Sequence, residues 1–443
     1  MIKAKRPAGI GCMLVCLLAL SACGDWFHDL GKPSLPGKRV SVIRTGGNLL
    51  PDKRIQNLNV IIPKPKVNFN WPQAGGYPDH AMHHLAAGGS LDRKWSSRIG
   101  DGSDDGAQLL SQPVVANQMI YTLDINAVVS AFSIATGKRL WEFELSKDEG
   151  HEGILGGGLA IDGGRIYVTT GFADVIALNS TTGAEIWRKR LDGPIRAAPT
   201  VAGGRVFVVT IANELFVLNV ADGTELWTHS GLREIAGLVG AAPPAVARGI
   251  VVVPFSSGDV VALRVENGRQ VWTESLVALR RSNAVSAIAH IRGKPVIDGG
   301  IVFIVGNSNR TVAVDLRTGT RLWELPIGGH HGVWVAGAFI YVVTRNAELV
   351  CVTRKGGLVR WVTRLPQFED ARNREDPIIW SGPVLAGDRL LVASTEEEIW
   401  SVSPYSGKVL GRIKIEGPVL IPPVVAAETV YVLTDEAELI AFR

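Results

Sequence analysis

From about residue 112 onward, the chain alternates short apolar runs with polar turns. The first unit of this pattern contains PVVA, MIYTLD, VVSAFS and LWEFEL, and the second contains GLAID, RIYVTT, VIALNS and IWRKRL. The runs have four to seven residues, are rich in β-branched and aromatic side chains, and are bounded by Gly, Asn or Asp, which is typical of strands. Because no segment of useful length after the leader has helical periodicity, the pattern predicts an all-β body.

A recurring Trp motif occurs once in each unit and so gives the number of units. It consists of a small-residue turn with Gly, two variable positions, an aliphatic residue and a Trp, as in ATGKRLWEFEL at 135–145. The motif tryptophans are Trp95, Trp141, Trp187, Trp227, Trp272, Trp323 and Trp361. An eighth copy, YSGKVLGRIKI, has Gly411 in the Trp position. A period of about 40–50 residues with strands inside each unit indicates a β-propeller.

The repeated Trp and Gly are interpreted as structural residues. We name the strands of each unit A to D in chain order, so that the Gly lies in the C–D turn, where a tight hairpin needs a positive φ. These glycines are Gly137, Gly183, Gly223, Gly268, Gly319, Gly357 and Gly407. The Trp begins the outer strand and offers a flat surface to the cleft between adjacent blades, where its indole N–H can reach a backbone carbonyl.

The two ends of the repeat are complementary. The last unit, PPVVAAETVYVLTDEAELIAF, has strands A to C only, whereas LDRKWSSRI around Trp95 is a lone D strand with Leu91 in place of the turn Gly. Pairing residues 92–99 with the C-terminal unit completes a blade and removes exposed sheet edges. The prediction for residues 91–443 is therefore an eight-bladed β-propeller of four-stranded antiparallel blades, closed by the N-terminal strand.

Residues 1–22 have the form of a lipoprotein signal peptide. Positive residues precede an apolar run at 10–20 that is too short to span a bilayer comfortably, and LSAC at 20–23 resembles the bacterial lipobox. The resemblance implies cleavage before Cys23 and attachment of diacylglycerol to its sulfur. The next residue, Gly24, is not the Asp that favours inner-membrane retention, so we expect a lipid anchor on the periplasmic side of the outer membrane.

Residues 23–90 are predicted to be the lipidated Cys and an extended, partly ordered tether, because they are rich in Pro and weak in periodicity. The HAMHH stretch within it contains His80, His83 and His84 without accompanying Cys or regularly spaced carboxylates. A solvated tether segment is therefore preferred to a metal site there.

The repeats resemble the PQQ-like (pyrroloquinoline-quinone-type) propeller repeat, whose hallmark is the TGxxxW pattern. Lipobox, tether and eight such units together are similar to the BamB family of outer-membrane β-barrel assembly lipoproteins. The resemblance implies a non-enzymatic scaffold without cofactor in the β-barrel assembly (BAM) complex. Such a scaffold binds the POTRA (polypeptide-transport-associated) domains of BamA, acts beside other BAM subunits, and assists folding and insertion of unfolded barrel clients.

The D–A connectors are long and variable, and such loops on a rigid scaffold are where binding usually resides. In the BamB family the partner surface lies on two consecutive connectors near the middle of the ring, which match residues 231–240 and 277–292. The candidate partner-binding residues are Arg233, Leu238, Val239, Arg281, His290 and Arg292. Plain connectors that are partly packed onto the propeller remain an open alternative.

A PQQ-dependent dehydrogenase-like enzyme is the main alternative function, because such enzymes share the repeat. Their chemistry needs a divalent cation, oxygen ligands and an Asp base, and the enzyme family also carries adjacent cysteines. If Cys23 is acylated, the mature chain keeps one thiol, Cys351, whose apolar surroundings in ELVCVT predict a core position. A second alternative is a general periplasmic protein-interaction propeller that pairs with exposed strands. The formal net charge of +4, without a basic block, gives no support for nucleic-acid binding.

Overall fold

The computed structural model describes residues 49–443 except 105, 146–155, 235–239 and 278–289. Over these ranges the fold is all-β, and the single helical element is a 3-10 turn at Lys53–Ile55. Eight four-stranded antiparallel sheets form the blades. No helix in the described part of the chain is long and apolar enough to cross a membrane.

The strand that closes the ring is β1 (Arg93–Arg98). Blade 1 contains β2 (Val114–Ala116), β3 (Met119–Leu123), β4 (Val128–Ser133) and β5 (Arg139–Glu144). Blade 2 contains β6 (Gly157–Asp162), β7 (Arg165–Thr170), β8 (Asp174–Asn179) and β9 (Glu185–Arg190). Blade 3 contains β10 (Thr200–Ala202), β11 (Arg205–Val209), β12 (Glu214–Asn219) and β13 (Glu225–Ser230). Blade 4 contains β14 (Ala245–Ala247), β15 (Ile250–Pro254), β16 (Asp259–Arg264) and β17 (Gln270–Ser275).

Blade 5 contains β18 (Val296–Asp298), β19 (Ile301–Val305), β20 (Thr311–Asp315) and β21 (Arg321–Leu325). Blade 6 contains β22 (Trp334–Ala336), β23 (Phe339–Val343), β24 (Glu348–Thr353) and β25 (Val359–Arg364). A hairpin of β26 (Phe368–Asp370) and β27 (Glu375–Pro377) lies in the next connector. Blade 7 contains β28 (Trp380–Ala386), β29 (Arg389–Ser394), β30 (Glu398–Val402) and β31 (Val409–Lys414). Blade 8 adds β32 (Val424–Ala426), β33 (Thr429–Leu433) and β34 (Glu438–Phe442) to β1.

Ring closure by the N-terminal strand is confirmed. Strand β1 pairs antiparallel with β34, with Trp95 opposite Ala441 and Arg98 opposite Glu438. The strand order of blade 8 is β1-β34-β33-β32, so β1 takes the outer position that strand D has in the other blades. The first and last segments of the propeller therefore share one sheet.

Every motif Trp bonds to the following blade. The indole N–H groups donate to backbone carbonyls at 2.7–3.2 Å, in the pairs Trp95–Ile134, Trp141–Ser180, Trp187–Val220, Trp227–Val265, Trp272–Leu316, Trp323–Arg354 and Trp361–Pro404. The C–D turn Gly of that next blade lies against the same ring. At Gly137, which has φ +72°, an added Cβ would lie 2.6 Å from Cε3 of Trp95. The Gly is thus required both by the turn and by the close approach of the ring.

The exception at Gly411 follows from the closure. A Trp in blade 7 would need a C–D turn in blade 8, but strand D of that blade is β1, which arrives from the other end of the chain. A Cβ added at Gly411 would meet nothing within 4 Å, so a ring there would lack the contact that the other seven have. Closure by β1 therefore explains three departures from the motif. These are Gly411 in place of Trp, the absence of a C–D turn in the last unit, and Leu91 in place of the turn Gly.

The core lies between neighbouring blades. Tyr121 and Val129 of blade 1 share an apolar cluster with Leu159 and Val168 of blade 2, and similar clusters join the blades that follow. Cys351 on β24 is fully buried, which confirms the core position predicted for it, and burial raises the pKa of its thiol. Because successive side chains along a strand point to opposite faces, each sheet packs against the preceding blade on one face and the following blade on the other.

Residues 66–88 run around the axis and bond to the innermost strand or its turn in every blade. In chain order the bonds join Asn68 to Ala427, Trp71 to Val115, Pro72 to Ile161, Gln73 to Val201, Pro78 to Val246, Asp79 to Ile297, His83 to Trp334 and Leu85 to Leu385. These bonds are 2.6–3.2 Å long. The segment thus occupies inner-edge backbone groups that would otherwise need water.

This arrangement corrects the interpretation of HAMHH as a solvated segment. His80 is 5% and His84 2% exposed, and the imidazole Nδ1 atoms lie 2.7 Å from the carbonyl oxygen of Pro295 and 2.6 Å from that of Pro63. Burial, followed by the charge of Lys294, lowers the pKa of His80 to about 3. The solvated interpretation is wrong for these two residues because the inner edges of the blades recruit the segment as a packing partner.

Candidate partner face and axial cavity

The D–A connectors lie at the ends where the A strands begin, and they carry the predicted partner residues. Arg233 is exposed and its guanidinium lies 3.2 Å from the carboxylate of Glu214. The preceding Leu232 is 68% exposed. Leu238, Val239 and Arg281 lie outside the described residues.

Asn213 fixes the start of the connector at 231–234. Its side-chain amide donates to the carbonyl of Leu232 at 2.5 Å, and its Oδ1 accepts from the backbone N–H of Ser256 at 3.0 Å. Asn213 is itself buried, so water does not compete for these hydrogen bonds. They hold the connector against blades 3 and 4. Leu232 and Arg233 are therefore displayed from a fixed base.

A cavity of about 320 Å³ lies beside this connector, between blades 3 and 4. Its apolar lining includes Val209, Ile211 and Pro254, and its polar lining includes Glu234 and His290. Ile211 is 40% exposed. The connector face thus combines a recess, exposed aliphatic groups and a nearby Arg, a composition found in protein interface cores.

His290 and Arg292 do not lie on the same surface as Arg233. His290 is only 5% exposed, and burial, then the charges of Arg292 and Arg196, lowers the pKa of its imidazole to about 4. Burial also lowers the pKa of Arg292. Arg292 lies at the propeller axis together with Arg196, whereas His290 lines the recess beside the connector.

A second cavity of about 320 Å³ lies on the axis. It is lined by the residues that directly precede strand A in successive blades, and Ala74 of the N-terminal segment also contributes. Its basic lining residues are Arg196, Arg292, Lys294, His330 and His331. None of the described residues that line it is acidic.

The basic groups of the axial cavity perturb one another. Burial lowers the pKa of Lys294 to about 8. Burial, followed by repulsion from Arg292 and Arg345, lowers the pKa of His330 to about 4. Burial, with Lys294 and Arg292 as the next causes, takes the pKa of His331 well below its usual value. At neutral pH the imidazoles are therefore neutral, while the Arg and Lys side chains remain charged.

The side chains that line the axial cavity do not fit the divalent cation that a PQQ-dependent dehydrogenase needs. Within the described ranges, no three His, Cys, Asp or Glu residues converge as a metal site requires. The axial lining is basic, whereas Ca²⁺ takes carboxylate and carbonyl oxygens. The histidines of HAMHH and GGHHG likewise serve as packing or cavity residues.

Sequence reasoning missed the axial convergence. These residues come from three distant places in the chain: Arg196, then Arg292 with Lys294, and His330 with His331 in GGHHG. The signal was present, because each of these residues stands within three positions of its blade's unit start, near Ala197, Gly293 or Gly332. Equivalent positions in a propeller meet at the axis, so an alignment of the units on strand A would have brought them together.

The fold and the connector surface define this protein as an eight-bladed propeller with PQQ-like repeats, closed by an N-terminal strand. The sequence profile of the family described as "Outer membrane protein assembly factor BamB" matches residues 125–363 and 370–443. The chain belongs to this family.

Curated relatives and solved structures agree with this assignment. The chain is 28% identical to the outer membrane protein assembly factor BamB of Escherichia coli K12 over 326 residues, which cover 73% of this chain and 81% of the relative. It is 28% identical to BamB of Xanthomonas campestris over 358 residues, covering 80% of this chain and 86% of the relative. The crystal structure of BamB from Moraxella catarrhalis superposes with a TM-score of 0.68 at 18% identity, covering 80% of this chain and 99% of that one.

A quinohemoprotein alcohol dehydrogenase from Comamonas testosteroni also superposes, with a TM-score of 0.66 at 13% identity, covering 88% of this chain and 82% of that one. Similarity at this level shows a shared fold and nothing about chemistry. The two relatives reported above, each 28% identical over most of this chain, are named assembly factors.

Proposed function

We propose that this protein is a non-enzymatic lipoprotein scaffold of the BAM complex that binds the POTRA domains of BamA. In this proposal a lipid on Cys23 anchors the chain to the periplasmic side of the outer membrane, and other BAM subunits and unfolded barrel clients are the further partners. The observation that carries the proposal is the connector face of blades 3 and 4, where a recess of mixed polar and apolar lining opens beside exposed Leu232 and Arg233 in a chain of the BamB family.

The residues proposed to contact BamA are those that the connector displays. Leu232 and Ile211 are 68% and 40% exposed, and they provide apolar surface next to the recess. The Arg233–Glu214 pair is exposed and contributes little to folding, so Arg233 is available to a partner carboxylate. Leu238, Val239 and Arg281 remain part of the proposed surface. His290 and Arg292 are buried or directed to the axis, so we assign them a supporting role beneath it.

The test measures binding of the BamA POTRA fragment to the purified protein. Leu232→Asp and Ile211→Asp place a charge at the proposed contact, and each is expected to weaken binding by about tenfold or more. Arg233→Glu is expected to weaken binding and to reduce its salt dependence.

Matched control variants carry the same change on outer strands. Leu410→Asp on β31 and Leu226→Asp on β13 alter side chains that are 59% and 43% exposed, similar to the two test positions. The controls should bind normally. If they lose binding while Leu232→Asp and Ile211→Asp retain it, the outer strand edges are the binding surface and the general strand-pairing propeller is the better description.

A further inference from the structure

The axial cavity contains a concentration of positive charge that none of the described lining residues neutralises. Arg196, Arg292 and Lys294 line it together with two histidines. In the described part of the chain, neither Arg292 nor Lys294 has a carboxylate within 4.0 Å. Buried charges in proteins are normally paired, because an unpaired one carries a large desolvation cost.

The position of the cations is fixed by the fold. The stem of Lys294 lies against the N-terminal segment, where a Cβ added to Gly75 would be 2.9 Å from its Cε. The N–H of Gly75 in turn donates to Gln112 at 2.7 Å, and Gln112 also lines the cavity. Arg292 passes close to Gly240, whose added Cβ would lie 3.5 Å from the guanidinium. Gly75 therefore makes room for the stem of Lys294, and Gly240 lies in van der Waals reach of the Arg292 guanidinium.

An unpaired imidazole nitrogen, which donates when it carries the ring proton, accompanies the cations. The Nδ1 atom of His330 is buried and has no hydrogen-bond partner among the described residues. His330 lies close enough to Arg292 for the positive charge to lower its pKa. A cavity that combines fixed Arg and Lys groups with an unsatisfied imidazole nitrogen offers several donors to one guest.

We propose that the axial cavity binds a small polyanion whose carboxylate or phosphate oxygens pair with Arg196, Arg292 and Lys294. A volume of about 320 Å³ suits a small organic acid or a phosphate compound. The guest enters from the connector face, since the lining residues precede the A strands. This site adjoins the recess of the proposed BamA surface, because Arg196 and Ala241 line both cavities, but its existence does not depend on that function.

The main rival to an external guest is a carboxylate of the same chain. The segments 235–239 and 278–289 contain no Asp or Glu, and the second adds Arg280 and Arg281. The segment 146–155 contains Asp148, Glu149 and Glu152 and leads into Gly157, which lines the cavity. Asp105, which also lies outside the described residues, precedes Gln108 of the lining by three positions. The experiment therefore has to separate an external anion from these four carboxylates.

The full-length protein, purified in detergent, is titrated calorimetrically at constant ionic strength with inorganic phosphate and, separately, with citrate. Saturable one-to-one binding of at least one of the two is expected, and the preferred anion identifies phosphate or carboxylate as the guest group. Arg292→Gln and Lys294→Gln should each weaken binding by about tenfold, the loss of one charge-assisted contact. Both side chains are half-buried and neither has a carboxylate partner among the described residues, so the variants should fold normally.

Arg248→Gln is the matched control. Arg248 lines a groove of about 640 Å³ that also contains Asp79 and Asp298, and its loss should leave anion binding unchanged. Equal weakening by Arg248→Gln would mean diffuse surface attraction and would overturn the proposal, as would the absence of saturable binding by both anions. The quadruple variant Asp105→Asn, Asp148→Asn, Glu149→Gln, Glu152→Gln should bind like the unmodified protein. Binding that appears only in this variant would assign the site to the chain's own carboxylates and overturn the external guest.

Discussion

The indole N–H of Trp95 donates to the backbone carbonyl of Ile134 at 3.0 Å, and this bond joins the blade that closes the ring to the blade that begins it. The same bond recurs between the other blades that carry the motif, so the closing contact uses the same chemistry as the rest of the ring. The closure is therefore one more blade-to-blade joint, made with a strand from the opposite end of the chain.

Trp95→Phe should lower the free energy of unfolding by about 1–2 kcal/mol, because it removes one hydrogen bond and leaves a poorly satisfied carbonyl. Urea denaturation followed by fluorescence measures the change. Trp187→Phe removes the equivalent bond to Val220 in the middle of the ring and serves as the comparison. If only Trp187→Phe lowers the denaturation midpoint, the Trp95–Ile134 hydrogen bond contributes nothing to the free energy of unfolding.

Gly137→Ala should cost more than Gly163→Ala. Both residues have positive φ, +72° and +55°, but an added Cβ meets Trp95 only at Gly137 and nothing within 4 Å at Gly163. Strained backbone alone costs about 1–2 kcal/mol, and the forced displacement of the ring adds about 1–3 kcal/mol at Gly137. Thermal or chemical unfolding of the two variants checks the difference, and equal costs would show that the ring moves freely.

Gly411→Ala should stabilise the protein by about 0.5–1 kcal/mol, because it reduces the freedom of the unfolded chain at a strand position with open space. An added Cβ there has no neighbour within 4 Å. The denaturation midpoint should rise with an unchanged slope. A fall in the midpoint would mean that a Gly is required at position 411 for a reason other than the absence of a Trp contact.

Gln73→Leu tests the N-terminal segment. The Gln73 amide donates to the carbonyl of Val201 at 2.8 Å and accepts from its N–H at 2.9 Å, inside a buried site. The variant leaves both backbone groups unpaired and should cost about 2–4 kcal/mol. Gln367→Leu, on an exposed side chain with one hydrogen bond, should change stability by less than about 1 kcal/mol. Similar small effects at both positions would mean that the segment contributes little to stability.

The buried Lys294 predicts a rise in stability with pH. Its folded pKa of about 8 lies below the usual 10.5, so the unfolded chain binds more protons between these values and stability increases across that window. The full gain is of the order of 3 kcal/mol and is absent below pH 8, where Lys294 is charged in both states.

His80, His331 and Arg292 lie near the ammonium, and none changes charge in this window. Stability measured from pH 7 to 10.5 should therefore rise more steeply for the unmodified protein than for Lys294→Met. Parallel curves would contradict the depressed pKa. A polyanion bound in the axial cavity should flatten the rise, because it favours the charged ammonium.

The blade architecture could be predicted from the sequence because its determinants are local and repeated. Trp187 and Gly223 recur with their neighbours at a nearly constant spacing, and each unit has the same order of apolar runs. The ring closure was predictable from the mismatch of the two ends. The course of residues 66–88 was not, because its bonds to eight blades involve main-chain groups and therefore leave no repeated side-chain pattern.

The functional surface was only partly predictable. The position of Arg233 on an exposed connector agrees with an interpretation based on loop length, but nothing in the local sequence of AHIR distinguishes an inward His290 and Arg292 from exposed ones. Their burial depends on Arg196 and on the connectors of other blades, which meet only at the axis. Long-range convergence of this kind cannot be obtained from residue spacing along the chain.

The path of residues 66–88 has a consequence for the order in which the protein folds. This segment is synthesised before any blade, yet Asn68 bonds to Ala427 and Gly88 to Glu428 near the far end of the chain. Strand β1 likewise cannot pair until β34 has been synthesised. Residues 66–88 can therefore complete their bonds only after the C-terminal residues have been synthesised. The blades form first, and the N-terminal segment binds to their inner strands last. Until then every inner edge is open, and this interval is when the chain is most exposed to misassembly.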